Sequence, residues 1–147
     1  IGENVHGPLL GKGTADLMIA LEPLEALRLG VPYLAPGGVV VMNTARQVPV
    51  DVKVGAVEYP PLETILDALQ QLGGRVVAFD GGEVAAQAGS AKVLSTVMLG
   101  AAWATGQLPV SEETLLAVVA EKVPPKTVET NKAAFALGKQ AYQQAQA

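Results

Sequence analysis

A chain of 147 residues, half of them hydrophobic and only 16% charged, has the composition of a folded protein, so we expect residues 1–147 to form a single domain. Its net charge of −4 and its scattered basic residues argue against a nucleic-acid partner, and no apolar run approaches the roughly 20 residues that cross a membrane. The lack of cysteine and the single histidine, His6, exclude disulfides, cysteine-ligated iron–sulfur clusters and a zinc site built on histidine and cysteine alone.

The first motif in chain order, GPLLGKGT at residues 7–14, superficially resembles a phosphate-binding loop. Its spacing is one residue too short, and Gly13 stands where the motif requires Ser or Thr. A phosphate-binding loop also opens a helix, whereas this segment leads into a predicted strand. The motif therefore predicts a glycine-rich connection rather than a site of nucleotide hydrolysis.

Short, nearly continuous apolar runs rich in branched residues predict strands that are buried on both faces. These runs are DLMIAL at 16–21, GVVVMN at 38–43 and RVVAFD at 75–80. A helix is predicted between the first two strands, with Pro23 in its first turn and PGG at 36–38 before the next strand. The segment VKVGAVEY at 52–59 alternates more and is predicted to be a weaker extended piece near an edge, bent at Gly55.

The remaining chain carries helical patterns, which are predicted at residues 61–72, 81–89, 92–106, 111–123 and from about 127 onward. Asp80 and Ser111 are expected to cap the helices that follow them. The helix at 92–106 is apolar almost all round, so we expect it to be buried, with Gly100 permitting close packing. On this helix, the hydroxyls of Ser95 and Thr96 are expected to bond back to a carbonyl one turn earlier.

Strands that alternate with helices predict an α/β fold in three layers, with a mostly parallel, Rossmann-like sheet covered by helices on both faces. The three predicted buried strands are few for such a sheet. The chain also begins at Ile1, without methionine and without a recognisable secretory signal. We therefore expect a cytoplasmic protein that lacks its N-terminal strand–helix unit.

Polar residues follow the strands at the edge where ligands of open parallel sheets bind. Glu22 follows the first strand, Asn43 and Thr44 close the second, and Asp80 closes the third. Each has a structural alternative, as an acid at a helix start, a turn former or a helix cap. Their expected convergence makes Glu22, Asn43 and Thr44 candidates for a ligand cleft, although no catalytic constellation is recognisable and no metal site is expected.

Five segments in chain order form a recognisable set: ADLMIALEPLEALR at 15–28, PGGVVVMNT at 36–44, EYPPLETILDAL at 58–69, TVMLGA at 96–101 and VPPKTVETNKAAFALG at 123–138. Together they resemble the gamma-type subunits of 2-oxoacid:ferredoxin oxidoreductases, with the beta subunits of the indolepyruvate enzymes as the nearest group. The resemblance covers almost the whole chain in order. It departs at the start, because family members open with a strand and a GxGGQG turn that this sequence lacks.

The resemblance implies a subunit that binds no cofactor by itself and supports oxidative decarboxylation of an arylpyruvate to an acyl-coenzyme A. It implies a catalytic alpha-type partner that carries thiamine diphosphate, magnesium and the iron–sulfur clusters and passes electrons to ferredoxin. Glu22, Asn43 and Thr44 would then line a substrate or coenzyme A cleft. Two alternatives remain open: a stand-alone domain that binds a nucleotide or anion at the same edge, and a purely structural interaction domain.

Overall fold

The computed structural model describes residues 9–46 and 58–146. In chain order the described elements are β1 (Ala15–Ala20), α1 (Pro23–Tyr33), β2 (Leu34–Asn43), α2 (Leu62–Gln71), β3 (Arg75–Phe79), α3 (Gly81–Gln87), α4 (Leu94–Ala104), α5 (Glu112–Lys122) and α6 (Val128–Gln144). Short 3-10 turns at Ala91–Val93 and Pro125–Thr127 lead into α4 and α6. The predicted alternation of strands and helices is therefore confirmed, to within a few residues at most boundaries.

The three described strands form one parallel sheet in the order β1-β2-β3. The central strand β2 is buried along its whole second half, from Gly38 to Asn43, because both of its neighbours and both helical layers cover it. Its alternate residues point to opposite faces, so that Val40 and Met42 enter one core and Val39 and Val41 the other. The α/β fold with a parallel, Rossmann-like sheet is confirmed for the described part of the chain.

The second strand begins earlier than the sequence pattern predicts. It starts at Leu34 rather than at Gly38, since Leu34 pairs with Ala15 before the register shifts and Val39 pairs with Leu17. The longer side of this irregularity contains Pro36 and Gly37, and Gly37 has a φ of 78°, which glycine adopts without strain. The PGG turn is therefore a bulge within β2, and no separate loop intervenes.

One face of the sheet is covered by α1 and α2. Ala26 of α1 and Ile65 and Leu69 of α2 are almost completely buried against Val40 and Met42. The amphipathic helix predicted at 61–72 supplies this contact, because its leucine and isoleucine positions share one side.

The other face is covered by α4 and α6, whose backbones approach closely. A Cβ atom on Gly100 would overlap the carbonyl group of Phe135, and one on Gly138 would overlap that of Val97. Met98 and Ala101 of α4 and Tyr142 of α6 then reach the sheet. The prediction that small residues allow α4 to pack tightly is confirmed.

One prediction about local structure is wrong, and others fall wholly or partly outside the described residues. The Thr96 hydroxyl donates to Oδ1 of Asn131 on α6 at 2.6 Å, so it links two helices instead of bonding back within α4. His6 and residues 52–57 of the weaker extended piece lie outside the described residues, as does the start of GPLLGKGT. The rest of that motif leads into strand β1, as predicted, and the Gly13 amide donates to the Pro32 carbonyl at 3.0 Å. The absence of an N-terminal strand–helix unit stays a prediction.

The exposed apolar side chains are concentrated near β1, which forms one edge of the described sheet. Of the seven large hydrophobic residues that are exposed in the described ranges, six lie between Leu9 and Val31. Leu9, Leu10, Leu29 and Tyr33 help to line an apolar groove of about 400 Å³ beside this strand. Among the described helices, none has both the length and the hydropathy that a membrane span requires.

Candidate functional site

The predicted site residues follow neighbouring parallel strands at the carboxyl edge of the sheet, as expected. Glu22 lies two residues beyond the end of β1, Asn43 ends β2, and Asp80 follows β3. Asn43 contacts both outer strands' ends, because its amide nitrogen donates to the Leu21 carbonyl and its side-chain oxygen accepts from the Gly81 amide. The structure therefore brings the three strand ends together through Asn43.

Glu22 is buried, with 7% of its surface exposed, and its carboxylate is engaged on both oxygens. Oε2 accepts from the Glu25 amide at 2.8 Å, which makes Glu22 the N-cap of α1. Oε1 accepts from the Tyr59 hydroxyl. An acid at this position is favoured because the first turn of a helix carries unpaired N–H groups and a partial positive charge. The structural alternative for Glu22, an acid at a helix start, is what the structure shows.

Tyr59 belongs to the carboxyl edge although the sequence patterns did not single it out. Its hydroxyl donates to Glu22 and accepts from the Leu24 amide at 3.2 Å, while the Arg46 guanidinium lies 5.5 Å from the centre of its ring. Burial, followed by the hydrogen bond to the Glu22 carboxylate and the charge of that carboxylate, raises the pKa of Tyr59 to about 12. Tyr59 therefore stays protonated at neutral pH and acts as a donor to Glu22.

Asn43 is more deeply buried than Glu22 and makes three side-chain hydrogen bonds. Its nitrogen donates to the Leu21 carbonyl at 3.0 Å, and its oxygen accepts from the amides of Gly81 at 2.9 Å and Ala45 at 3.4 Å. The bond to Ala45 is that of a turn former, which is the structural alternative for this residue. The other two bonds tie the end of β1 to the start of α3, a role that local sequence pattern does not reveal.

Thr44 and Asp80 are more accessible than Glu22 and Asn43. The Thr44 amide donates to the Phe79 carbonyl at 3.0 Å and so extends the pairing of β2 with β3, while its side chain is half-buried. Asp80 is exposed and caps α3, because its Oδ1 accepts from the Glu83 amide at 2.9 Å. The predicted cap at Asp80 is confirmed. Among the described residues, Thr44 is thus the member of the candidate set whose side chain forms no hydrogen bond with another residue.

The described residues do not assemble a metal centre, since they contain no group of three histidine, cysteine, aspartate or glutamate side chains close enough to share an ion. Beside Asp80, a cleft of about 420 Å³ separates α3 from α6, and it is lined by Glu83, Gln87, Gln140 and Gln144 among others. The carboxyl edge therefore offers hydrogen-bonding groups and a shaped surface, with Glu22, Tyr59 and Asn43 holding the backbone beneath it.

A parallel sheet with helices on both faces and polar residues at its carboxyl edge defines a Rossmann-like α/β fold. Residues 2–141 match the family model described as pyruvate ferredoxin/flavodoxin oxidoreductase, and the chain belongs to that family. The resemblance drawn from the sequence is thereby confirmed.

Named relatives agree with the family match. The chain is 38% identical, over 138 residues, to indolepyruvate oxidoreductase subunit IorB from Thermococcus kodakarensis, a match that covers 93% of this chain and 68% of that protein. The subunit of the same name from Pyrococcus horikoshii matches with the same identity and coverage. Among solved structures, the gamma subunit of a keto/oxoacid ferredoxin oxidoreductase from Geobacter sulfurreducens superimposes with a TM-score of 0.62 at 25% identity. That superposition covers 88% of this chain and 64% of the gamma subunit, so the chain spans less than two thirds of it.

Proposed function

We propose that this chain is the subunit without cofactors of a 2-oxoacid:ferredoxin oxidoreductase that acts on indolepyruvate or a related arylpyruvate. The observation that carries the proposal is the family match over residues 2–141, together with relatives named as indolepyruvate oxidoreductase subunits. In this role the chain has no turnover alone and supports a catalytic partner that forms the acyl-coenzyme A in the cytoplasm.

A polypeptide partner is supported by the apolar surface beside β1. Six of the seven exposed large hydrophobic residues in the described ranges lie between Leu9 and Val31, and the seventh is Val118. Leu9, Leu10 and Leu29 line one groove, and exposed apolar surface of this kind is typical of protein–protein contacts, because burying it removes hydrocarbon from water. The catalytic alpha-type subunit is the partner proposed, with ferredoxin as the electron acceptor of the complex.

The donor set of this chain does not fit the redox cofactors of such an enzyme. Iron–sulfur clusters are held by cysteine thiolates, and the sequence contains no cysteine. Likewise, no Gly-Asp-Gly motif is present for the metal that accompanies thiamine diphosphate. We therefore assign thiamine diphosphate, magnesium and the clusters to the partner, and we assign to this chain the shaping of a cleft for substrate or coenzyme A.

Within that cleft, Glu22, Asn43 and Thr44 are proposed to form the wall. Glu22 and Asn43 would act by holding the backbone at the ends of β1 and β2, since their polar atoms are engaged with Glu25, Tyr59, Leu21 and Gly81. Thr44 would present its hydroxyl to a ligand. The proposal predicts a division of labour in which substitution of Thr44 changes turnover and leaves stability nearly unchanged.

The direct test is reconstitution with a co-purified partner. The tagged chain is expressed in its native host, its companions are identified, and the complex is assayed for indolepyruvate-dependent reduction of ferredoxin in the presence of coenzyme A. A companion with cysteine-rich cluster motifs and an activity that is lost when this chain is left out support the proposal. A chain that purifies alone, or a complex without 2-oxoacid activity, rejects it.

The wall is tested in the same complex with Thr44→Val, which removes the hydroxyl at nearly constant volume. We expect a loss of kcat/KM of about tenfold, the size of one lost hydrogen bond to a polar ligand group. The matched control is Thr114→Val on α5. Thr114 is exposed and belongs to a helix that follows all three strands in the sequence. Equal activity of the Thr44→Val complex and the control complex would remove Thr44 from the wall.

A further inference from the structure

A second polar cavity lies between the beginnings of α4 and α6 and is separate from the hydrogen-bond network of Glu22 and Asn43. Its volume is about 370 Å³. Its polar lining comes from Ser90, Lys92, Lys126, Thr127, Thr130 and Asn131. It lies toward the carboxyl edge of the sheet, because the start of α4 packs there: a Cβ on Gly81 would come within 2.7 Å of Leu94. Ligands of parallel sheets are found at this edge.

The charge of the cavity is positive. Lys92 and Lys126 both line it, its described lining residues include no acid, and neither lysine forms an ion pair with any described carboxylate. The two acids nearest to Lys126 in sequence form ion pairs with other lysines, Glu121 with Lys122 and Glu129 with Lys132. The acid nearest to Lys92 in sequence, Glu83, lines the cleft between α3 and α6. A local excess of two positive charges in a protein of net charge −4 favours an anionic ligand at this place.

The neutral polar groups of the cavity also have donors to spare. Asn131 is 6% exposed; its Oδ1 accepts from Thr96 at 2.6 Å and its nitrogen donates to the Thr127 carbonyl at 2.9 Å. A side-chain amide nitrogen carries a second hydrogen, for which the described residues provide no acceptor. The Ser90 oxygen accepts from the Lys92 amide, so its hydroxyl hydrogen is likewise available. The lining therefore offers donors and cations in excess of acceptors.

We infer that this cavity binds a phosphate-bearing anion between Lys92 and Lys126. A phosphate group accepts several hydrogen bonds at once and gains from lysine as a point charge. Val93, Val123 and Pro124 form an apolar wall beside the lysines, which can contact the non-ionic part of a phosphate ester. This site goes beyond the proposed function and does not depend on it, because both lysines and the polar side chains around them belong to the described part of this chain.

The experiment titrates the whole chain with inorganic phosphate at low ionic strength and follows the backbone amide shifts of Lys92, Lys126 and Asn131. Saturable shifts at these amides are expected. Lys92→Gln and Lys126→Gln should each raise the dissociation constant for phosphate by about tenfold, the effect of losing one charge-assisted hydrogen bond. Lys12→Gln is the matched control, because Lys12 is exposed and does not line the cavity. It removes the same charge and should leave the affinity unchanged.

Coenzyme A is the second probe and identifies the source of the phosphate group. If coenzyme A displaces phosphate from the three amides, the ligand is a phosphate ester; if only inorganic phosphate shifts them, it is the free anion. The site is rejected if the shifts do not saturate, if both lysine variants bind as tightly as the unmodified chain, or if Lys12→Gln weakens binding equally. Because turnover of a complex plays no part, this result is independent of the reconstitution test.

Discussion

The network at the carboxyl edge and the lysine cavity are both polar and lie at the same end of the sheet, yet they use their polar groups differently. At the carboxyl edge, the side chains of Glu22 and Asn43 are buried and bonded to backbone or to Tyr59. In the cavity, Lys92 and Lys126 are exposed and without an acidic partner in the described residues. Buried polar groups must be satisfied within the protein, whereas groups facing water can exchange it for a ligand. We therefore expect the network of Glu22 and Asn43 to stabilise the fold and the cavity of Lys92 and Lys126 to bind a ligand.

The largest expected effect that separates the two regions is that of Asn43→Ala. The substitution leaves the Leu21 carbonyl and the Gly81 amide without their partner in a buried place, and we expect the free energy of unfolding to fall by about 3 kcal/mol. Urea denaturation followed by circular dichroism measures this change. Thr44→Ala, next in the chain, is the control and should cost less than about 1 kcal/mol. Similar losses for the two variants would contradict the supporting role of Asn43.

Glu22→Ala should be the next most damaging change. It removes the cap of α1 and the acceptor of the Tyr59 hydroxyl, for an expected loss of about 2 kcal/mol. Glu22→Gln keeps an oxygen that can accept from Glu25, so it should recover about half of that loss. The melting temperatures of the two variants test this expectation. If the glutamine variant is no more stable than the alanine variant, Glu22 does not stabilise the protein by capping α1.

A smaller effect, visible only at high pH, is expected from Tyr59. Burial and the Glu22 carboxylate raise its pKa from 10.0 to about 12, so the folded state holds this proton more tightly than the unfolded state. The stabilisation is complete below pH 10 and is lost as the pH rises through 12. Tyr59→Phe removes this component of the pH dependence. Between pH 9 and 12, the free energy of unfolding should fall less steeply with pH for the variant than for the unmodified chain. Identical slopes would show that the pKa of Tyr59 is not raised by folding.

The smallest effect on stability should come from the cavity. Lys92→Gln and Lys126→Gln break no recorded ion pair, so each should change the free energy of unfolding by less than about 0.5 kcal/mol. Calorimetric melting in a buffer without phosphate is the measurement. A loss as large as that of Glu22→Ala would mean that these lysines support the fold, and the contrast between the two regions would disappear.

Much of the fold was predictable because its signals are local. The buried strands, the amphipathic α2 and the caps at Asp80 and Ser111 all depend on residues within a few positions of each other. Tyr59 was missed because its bond to Glu22 joins residues 37 positions apart, and the pairing of Thr96 with Asn131 spans 35. The bulge at Gly37 was not predicted because PGG is equally typical of a turn between elements. Only the pairing of Leu34 with Ala15 distinguishes a bulge within the strand from such a turn.

The close contact of α4 with α6 has a consequence for recognition. Gly100 and Gly138 fix how α4 and α6 are aligned along their axes. If one helix shifted by a turn, a side chain would replace a glycine at the contact and clash with a backbone carbonyl of the other helix. Lys92 and Lys126 lie in the 3-10 turns that lead into α4 and α6, so the register also sets the spacing between the backbones that carry the two lysines. The backbone positions that carry the two charges are therefore already determined by packing in the core before an anion binds, and little ordering of the backbone has to accompany its binding.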